Sequence, residues 1–471
     1  MDLATLVTEG MKLIGRGDLV PEGSSLDNHS TISLSLGEQQ VIHIAVVDEY
    51  PVIWAPLPAD LPALLPDVFI GEICLLWQDL TCRVLLGRAQ VVGFNEHYTL
   101  LSLIGQATGL TLTTVIAPTG SAVTLTFTPQ IPGSVIDPSG NILARLSEIT
   151  QPDNRTITRP VCAQAPDVLS RQRITEVLPT GVKAIDALLT CGKGQRLGIF
   201  AGAGCGKTVL MNMLITHAQA DIFVIALIGE RGREVTELID ELRNSPQAAK
   251  CILVCSTSDK PAVDRCNAAL VATSLAEYYR DEGKEVVLFV DSLTRYGRAL
   301  RDVALSAGEV PVRLGYPASV FEQLPALLER PGATKSGVIT AFYTVLLDSE
   351  NEPDGFGDEV RSILDGHIYL SRRLAMQNHY PAIDIPASIS RVMSQIVSPP
   401  HLSAAGRFRA LLAKQNELKL LVEFGEYKPG LNAESDKAVE LTLPMRHFLC
   451  QSPAESVAAD ETGRLLEQLT Q

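Results

Sequence analysis

The chain has 471 residues, 46% of them hydrophobic and 20% charged, which suits a globular protein with a large core. At ordinary domain sizes that length predicts about three domains. Aromatic residues are only 5%, so the core should be aliphatic, and a net charge of −15 argues against binding a nucleic-acid backbone as the main activity. The nine cysteines are scattered without a CxxC pair and the eight histidines form no HExxH pair, so no metal held by protein side chains alone is expected and a reducing cytosol fits.

The start Met1-Asp2-Leu3-Ala4-Thr5 lacks a basic region followed by an apolar stretch, so no secretory signal is expected. One weak helical period then gives way to Gly15, Gly17, Pro21 and Gly23, which predicts a mobile lead-in over the first thirty residues. From Ser30 to Phe127 short alternating runs, such as Thr31–Leu36 and Ala122–Phe127, are punctuated by glycine and proline and predict a small β-barrel or sandwich. The most apolar stretch, Leu61–Trp77, is broken by Pro62, Pro66, Asp67 and Glu72 and cannot cross a bilayer. A polar, proline-containing segment from Gln151 to Pro166 reads as a connection.

Between Thr180 and Leu370 apolar strand candidates (Phe223–Ile228, Ile252–Cys255, Val286–Val290, Val338–Leu347) alternate with helix candidates (Val235–Arg243, Ala262–Arg280, Val320–Leu328). Strands apolar throughout and separated by helices predict a parallel sheet covered on both faces, the α/β class, with ligands at the carboxyl ends of the strands. Helical patterns at Phe408–Val422 and Glu461–Leu469 predict a separate helical cap. The expected division is 1–127 for the lead-in and barrel, 128–179 for a connecting segment, 180–395 for the core and 396–471 for the helical region.

Within the core, Ile199–Thr208 is a strand that breaks into a glycine-rich loop ending in Lys-Thr. Gly202, Gly204 and Gly206 let successive backbone N–H groups point into one hollow. Lys207 supplies a charge for the outer phosphates, and the Thr208 hydroxyl is placed to ligate Mg²⁺. The helix that follows adds the positive end of its dipole. The strand before and the apolar run Val209–Ile215 after supply the strand–loop–helix context, so Gly202, Ala203, Gly204, Cys205, Gly206, Lys207, Thr208 and Val209 are expected to hold a nucleoside triphosphate with Mg²⁺. Ala201 replaces the first glycine of the usual pattern, which a negative φ tolerates.

Val286–Asp291 is a buried strand ending in a carboxylate, and a carboxylate fixed there suits Mg²⁺ coordination; on its own it would read as a turn cap. Ile228-Gly229-Glu230-Arg231-Gly232-Arg233 also follows a buried strand. Glu230 can polarise a water for in-line attack, and Arg231 and Arg233 would neutralise developing charge or fix Glu230. A solvated charge cluster opening a helix is the other reading of this segment.

The segment Tyr380–Arg391 carries P-A-I-D-x-x-x-S-x-S followed by arginine. With the G-E-R-G-R-E run at Gly229–Glu234 and Asp291–Tyr296, it resembles the catalytic subunits of the rotary F/V-type ATPases. Val263–Asn267, Arg298–Leu305 and Glu359–Arg372 resemble the type III secretion system ATPases among them. The resemblance runs from Ile174 to Asp436 and fades towards the N-terminus. It implies a RecA-like phosphate-loop core with a small N-terminal β-barrel and a C-terminal α-helical domain. It further implies that Arg391 reaches the nucleotide of a neighbouring subunit in a homohexamer, that Tyr380 packs near the adenine with Tyr427 completing that wall, and that Arg295 braces Asp291 and Glu230. The implied role is an export motor at the cytoplasmic face of the inner membrane, releasing chaperones and unfolding cargo. Its partners would be stator and central-stalk proteins, chaperone–effector complexes and membrane export machinery, with no nucleic acid.

The flagellar export ATPases share every catalytic residue named. A ring-shaped nucleic-acid translocase would need basic and stacking residues in its barrel, where Arg83 and Arg88 stand nearly alone. A non-catalytic ring subunit would not keep Lys207, Glu230 and Asp291 together. Cys205, inside the loop, is expected to place its thiol beside the nucleotide, where alkylation would inhibit.

Overall fold

The computed structural model describes residues 68–78, 83–94, 98–111, 114–148, 156–347 and 355–471, together with the backbone of strands Ser24–Asp27, Thr31–Ser35, Val41–Val47 and Tyr50–Pro56. The expected lead-in up to residue 23, the apolar stretch 61–67 and the start of the connector at Gln151–Asn154 lie outside the described residues.

The N-terminal region is one antiparallel sheet of eight strands, the four above and Glu72–Trp77, Leu85–Phe94, Tyr98–Ile104 and Val115–Ala122. Strict alternation along Glu72–Trp77 turns Cys74 and Leu76 inward, where they meet Ala89, Val91, Leu101 and Leu103 in a small core. Glu72 points the same way and is satisfied by backbone: its carboxylate accepts from Gly120 N at 2.7 Å and Phe69 N at 3.2 Å. The sheet is tied to the rest of the molecule by side chains, Gly105 N donating to Asp264 Oδ2 at 2.8 Å and Asn267 Nδ2 to Gln90 Oε1 at 3.1 Å.

The core elements follow in order: β1 (Arg196–Ala201), α1 (Lys207–His217), β2 (Ile222–Ile228), α2 (Gly232–Arg243), β3 (Cys251–Ser256), α3 (Ala262–Asp281), β4 (Glu285–Asp291), α4 (Leu293–Ser306), β5 (Val338–Leu346), β6 (Gly366–Leu370) and β7 (Ile383–Ser390). Each expected strand and helix of this region is present, its ends shifted by at most a few residues. The sheet order is β3-β2-β4-β5-β1-β6-β7, parallel except for β7, which runs against β6. Ser134–Ile136, from the segment before the core, extends the parallel edge beside β3.

Because side chains alternate along a strand, the apolar runs divide between two cores. Ile199, Ile225, Leu253, Val287 and Phe289 face one side with α1 and α2; Phe200, Val224, Ile252, Leu288 and Val290 face the other with α3 and α4. Only helices on both faces can cover such strands, and this fixes the layered α/β architecture. Cys251 and Cys255 are buried members of β3, their thiols pushed by burial up to about 12, as befits small core residues.

Four helices close the chain: Pro399–Glu423, Ala433–Glu440, Thr442–Leu449 and Ala459–Thr470. Two prolines open the first of them, where a missing N–H costs nothing, and Ser398 caps it. Arg409 anchors it by donating to the carbonyls of Ile385 and Leu188 at 3.0 and 2.7 Å. Among the described residues, no helix is long and apolar enough to cross a membrane.

Candidate active site

β1 delivers the chain to a loop whose shape needs glycine at two points. Gly204 and Gly206 take φ of 78° and 83°, which L side chains rarely adopt. Gly206 is the residue from which α1 starts, and a Cβ there would lie 3.2 Å from the ring of Tyr380. Tyr380 is therefore laid against the phosphate loop. Thr208 and Val209, in the first turn of α1, are exposed.

Two strands away, β4 ends in Asp291, 3% exposed, and β2 leads to Glu230, 4% exposed. Lys207 reaches both, 2.5 Å from Asp291 Oδ1 and 3.4 Å from Glu230 Oε1. The sequence thus brings Lys207, Glu230 and Asp291 into one cluster. Burial pushes the Glu230 carboxyl above the ordinary range; Lys207 pulls it back and Asp291 raises it further. A carboxyl tuned upward and held near a phosphate loop is equipped to take a proton from a water.

The arginines around Glu230 divide differently from expectation. Arg231 has a side chain 80% exposed and pairs with Glu234 on its own helix at 3.6 Å, and Arg233 pairs with Glu237 at 2.9 Å. Neither fixes Glu230. That role falls to Arg295 on α4, whose Nη1 lies 3.0 Å from Glu230 Oε2 and also donates to the Gly229 carbonyl. The reason is geometric: Arg231 stands exposed where α2 begins, whereas Arg295 lies in the first turn of α4, directly after the end of β4.

Cys205 is a second correction. It is 1% exposed and belongs to the buried apolar cluster, its sulfur 3.6 Å from where a Gly202 Cβ would sit. Its thiol faces the core rather than the nucleotide, so only its backbone contributes to the hollow. Tyr427 stays with the C-terminal helices, its hydroxyl donating to Asp436 in an ordered turn.

One polar group was not legible in the sequence. Thr344, fully buried in β5 between β1 and β4, donates to Asp291 Oδ1 at 2.6 Å. With Lys207 on the same oxygen, Oδ2 is the one left to a further ligand. A threonine inside an apolar strand is the signal that could have marked it.

Arg391 stands apart. It follows β7, and since Ser390 pairs with Gly366 at the start of β6 while Ala201 pairs with Leu370 at its end, Arg391 lies at the opposite end of the sheet from its own phosphate loop. Four residue steps along β6, from Gly366 to Leu370, separate the two levels, roughly 13 Å. The Arg391 side chain is exposed, its one hydrogen bond among the described residues a long one of 3.4 Å to the Arg361 carbonyl. The segment Tyr380–Arg391, with β7 inside it, therefore begins beside its own site, at Tyr380, and ends far from it, at Arg391.

Residues 181–390 match the nucleotide-binding domain of the ATP synthase alpha/beta family and residues 397–468 the type III secretion ATPase C-terminal domain. Residues 19–65 match a different family, Invasion protein B. The chain is 54% identical over 400 residues to the SPI-1 type 3 secretion system ATPase of Salmonella typhi, covering 85% of this chain and 92% of that protein. It is 41% identical over 410 residues to the flagellum-specific ATP synthase of Bacillus subtilis, covering 86% and 91%. Among solved structures, the assembled ATPase EscN of enteropathogenic E. coli in complex with its central stalk EscO superposes with a TM-score of 0.79 at 42% identity, covering 91% of this chain and 99% of that one. With the phosphate loop, the buried carboxylates and these likenesses together, the chain belongs to the type 3 secretion system ATPases and is an ATPase built on the ATP synthase alpha/beta nucleotide-binding domain.

Proposed function

We propose that the chain hydrolyses ATP at a site completed by a second copy of itself, and that this hydrolysis drives protein export through a type III secretion system. The observation that carries the reading is the separation of Arg391 from its own Lys207. An exposed guanidinium at the far end of the sheet from its own phosphate loop is placed to serve another copy's site rather than its own. A head-to-tail ring closes that logic, and six copies is the number the family resemblance implies.

In this mechanism the loop backbone and Lys207 bind the phosphates. The donor set fits Mg²⁺: the Thr208 hydroxyl and the free Oδ2 of Asp291 are hard oxygen ligands that would hold it, and the ion would offset charge on the phosphates. Glu230, fixed by Arg295, orients the attacking water and accepts its proton. The neighbour's Arg391 stabilises charge on the transferring phosphoryl group.

The central stalk bound by the assembled EscN supports an equivalent partner here. Release of chaperones, unfolding of cargo, and contact with stator and inner-membrane machinery at the cytoplasmic face extend the same reading, with the helical region from residue 396 as the surface for chaperone–effector complexes. The core is assigned 180–395 and the connecting segment 128–179. Likeness to the flagellar enzyme makes flagellar export the second reading. The catalytic assignment is tested by Glu230→Gln, expected to lower the hydrolysis rate at least 100-fold while nucleotide still binds. Turnover near the wild-type rate in that variant would contradict it.

A further inference from the structure

The link between the last two helices, Cys450 to Ala458, makes an unusual set of bonds through Gln451, which is 4% exposed. Its backbone N–H donates to the carbonyl of Tyr380 at 2.8 Å. Its amide nitrogen donates to the carbonyls of Gly181 and Glu455 at 2.7 and 2.8 Å, and its amide oxygen accepts from Lys183 N at 2.8 Å. Only an amide head carries donors and an acceptor together in this way. Two residues on, the Pro453 carbonyl accepts from His217 Nε2 at 2.9 Å.

Two of these contacts, to Tyr380 and to His217, share one target. His217 is the last residue of α1, and Tyr380 lies against Gly206, from which α1 starts. The link from the helical region thus grips both ends of the helix that carries the phosphate loop, directly at one end and through Tyr380 at the other. Lys183 and Glu455 add an ion pair of 3.2 Å across the same seam.

We propose that Gln451 is a positioning residue for Tyr380: it holds that ring against the phosphate loop and so makes affinity for the base end of the nucleotide depend on how the C-terminal helices are seated. The inference rests on the reading of the loop as an ATP site and of Tyr380 as the residue that packs near the adenine. Gln451 touches no nucleotide itself. Its effect runs through one backbone bond and through the Gly181–Lys183 turn that keeps the link in register.

The test compares full-length wild type and Gln451→Met, which keeps the volume and removes three side-chain bonds, for binding of ADP and of inorganic tripolyphosphate in the presence of Mg²⁺. Loss of Tyr380 positioning affects only the ligand with a base. The expected result is an ADP affinity about tenfold weaker with tripolyphosphate affinity within about twofold of wild type, and a raised KM for ATP at near-constant kcat. A parallel loss for both ligands, which general loosening would give, overturns the proposal, as does an unchanged ADP affinity. Wild-type binding of the two ligands checks the site reading separately from the variant's ratio. Should the variant not fold, hydrogen exchange of the wild-type Gln451 amide decides: ADP should slow it at least severalfold, and no change on adding ADP overturns the proposal.

Discussion

Arg231 and Arg295 show what a single side chain's surroundings decide. Both lie near Glu230 in the fold, yet one is solvated and the other forms a half-buried pair with the carboxylate. An exposed pair contributes little, whereas a donor to a buried carboxylate fixes its orientation and its proton affinity. Arg231→Ala should therefore change the hydrolysis rate by no more than about threefold and Arg295→Ala should lower it by about tenfold or more, on the usual worth of a hydrogen bond to a buried charge. Steady-state rates of the two variants check this; equal effects would contradict the assignment. The clustering of Lys207, Glu230 and Asp291 was readable from the sequence because it depends on local context, strand ends and a glycine loop. The choice between two arginines was not, because it depends on where α4 docks.

At the scale of elements, Cys205 and Asp264 make the point from opposite sides. The phosphate loop was legible, but the side to which its cysteine turns depends on the loop's path over the core. Since burial leaves that thiol 1% exposed, alkylation of native protein should label Cys162, which is exposed, well before Cys205. Mass mapping of partly alkylated protein reads the order, and rapid Cys205 labelling without loss of fold would contradict it.

Asp264, in α3, holds the N-terminal sheet through Gly105 N while its other oxygen, Oδ1, has no hydrogen-bond partner among the described residues. Burial raises its carboxyl to about 6, against an ordinary value of 3.8. The folded state thus holds this proton more tightly than the unfolded chain, so this group's contribution to stability falls as pH rises from about 4 to about 6. Asp264→Asn keeps an acceptor for Gly105 and removes the buried charge. It should stabilise the protein by about 1–2 kcal/mol at pH 7.5 and by less at pH 5, read by chemical denaturation at both values. Destabilisation at pH 7.5 would contradict this.

For the whole molecule, strands apolar throughout with helices between them were enough to foresee the parallel sheet, and the helical patterns near the C-terminal end were enough to foresee the helical region. The N-terminal third was harder. Its short alternating strands were readable as β structure, but the segment over residues 19–65 follows the pattern of another family, so likeness to the ATPases fades there. Quaternary logic was legible only through the Tyr380–Arg391 motif, since nothing local in Arg391 distinguishes it from a surface cation. The fold supplies the missing physics: β7 runs antiparallel to its neighbour, carrying Arg391 away from its own loop.

The most direct test mixes two inactive variants. Lys207→Ala protein has a crippled loop but an intact Arg391; Arg391→Ala protein has an intact loop and no guanidinium to lend. If each site draws on two copies, the mixture contains interfaces where an intact loop meets an intact arginine, and hydrolysis should return to a clear fraction of the wild-type rate. Activity that stays at the level of the separate variants, with mixed assemblies demonstrated, or an Arg391→Ala protein that is fully active alone, would contradict the shared site.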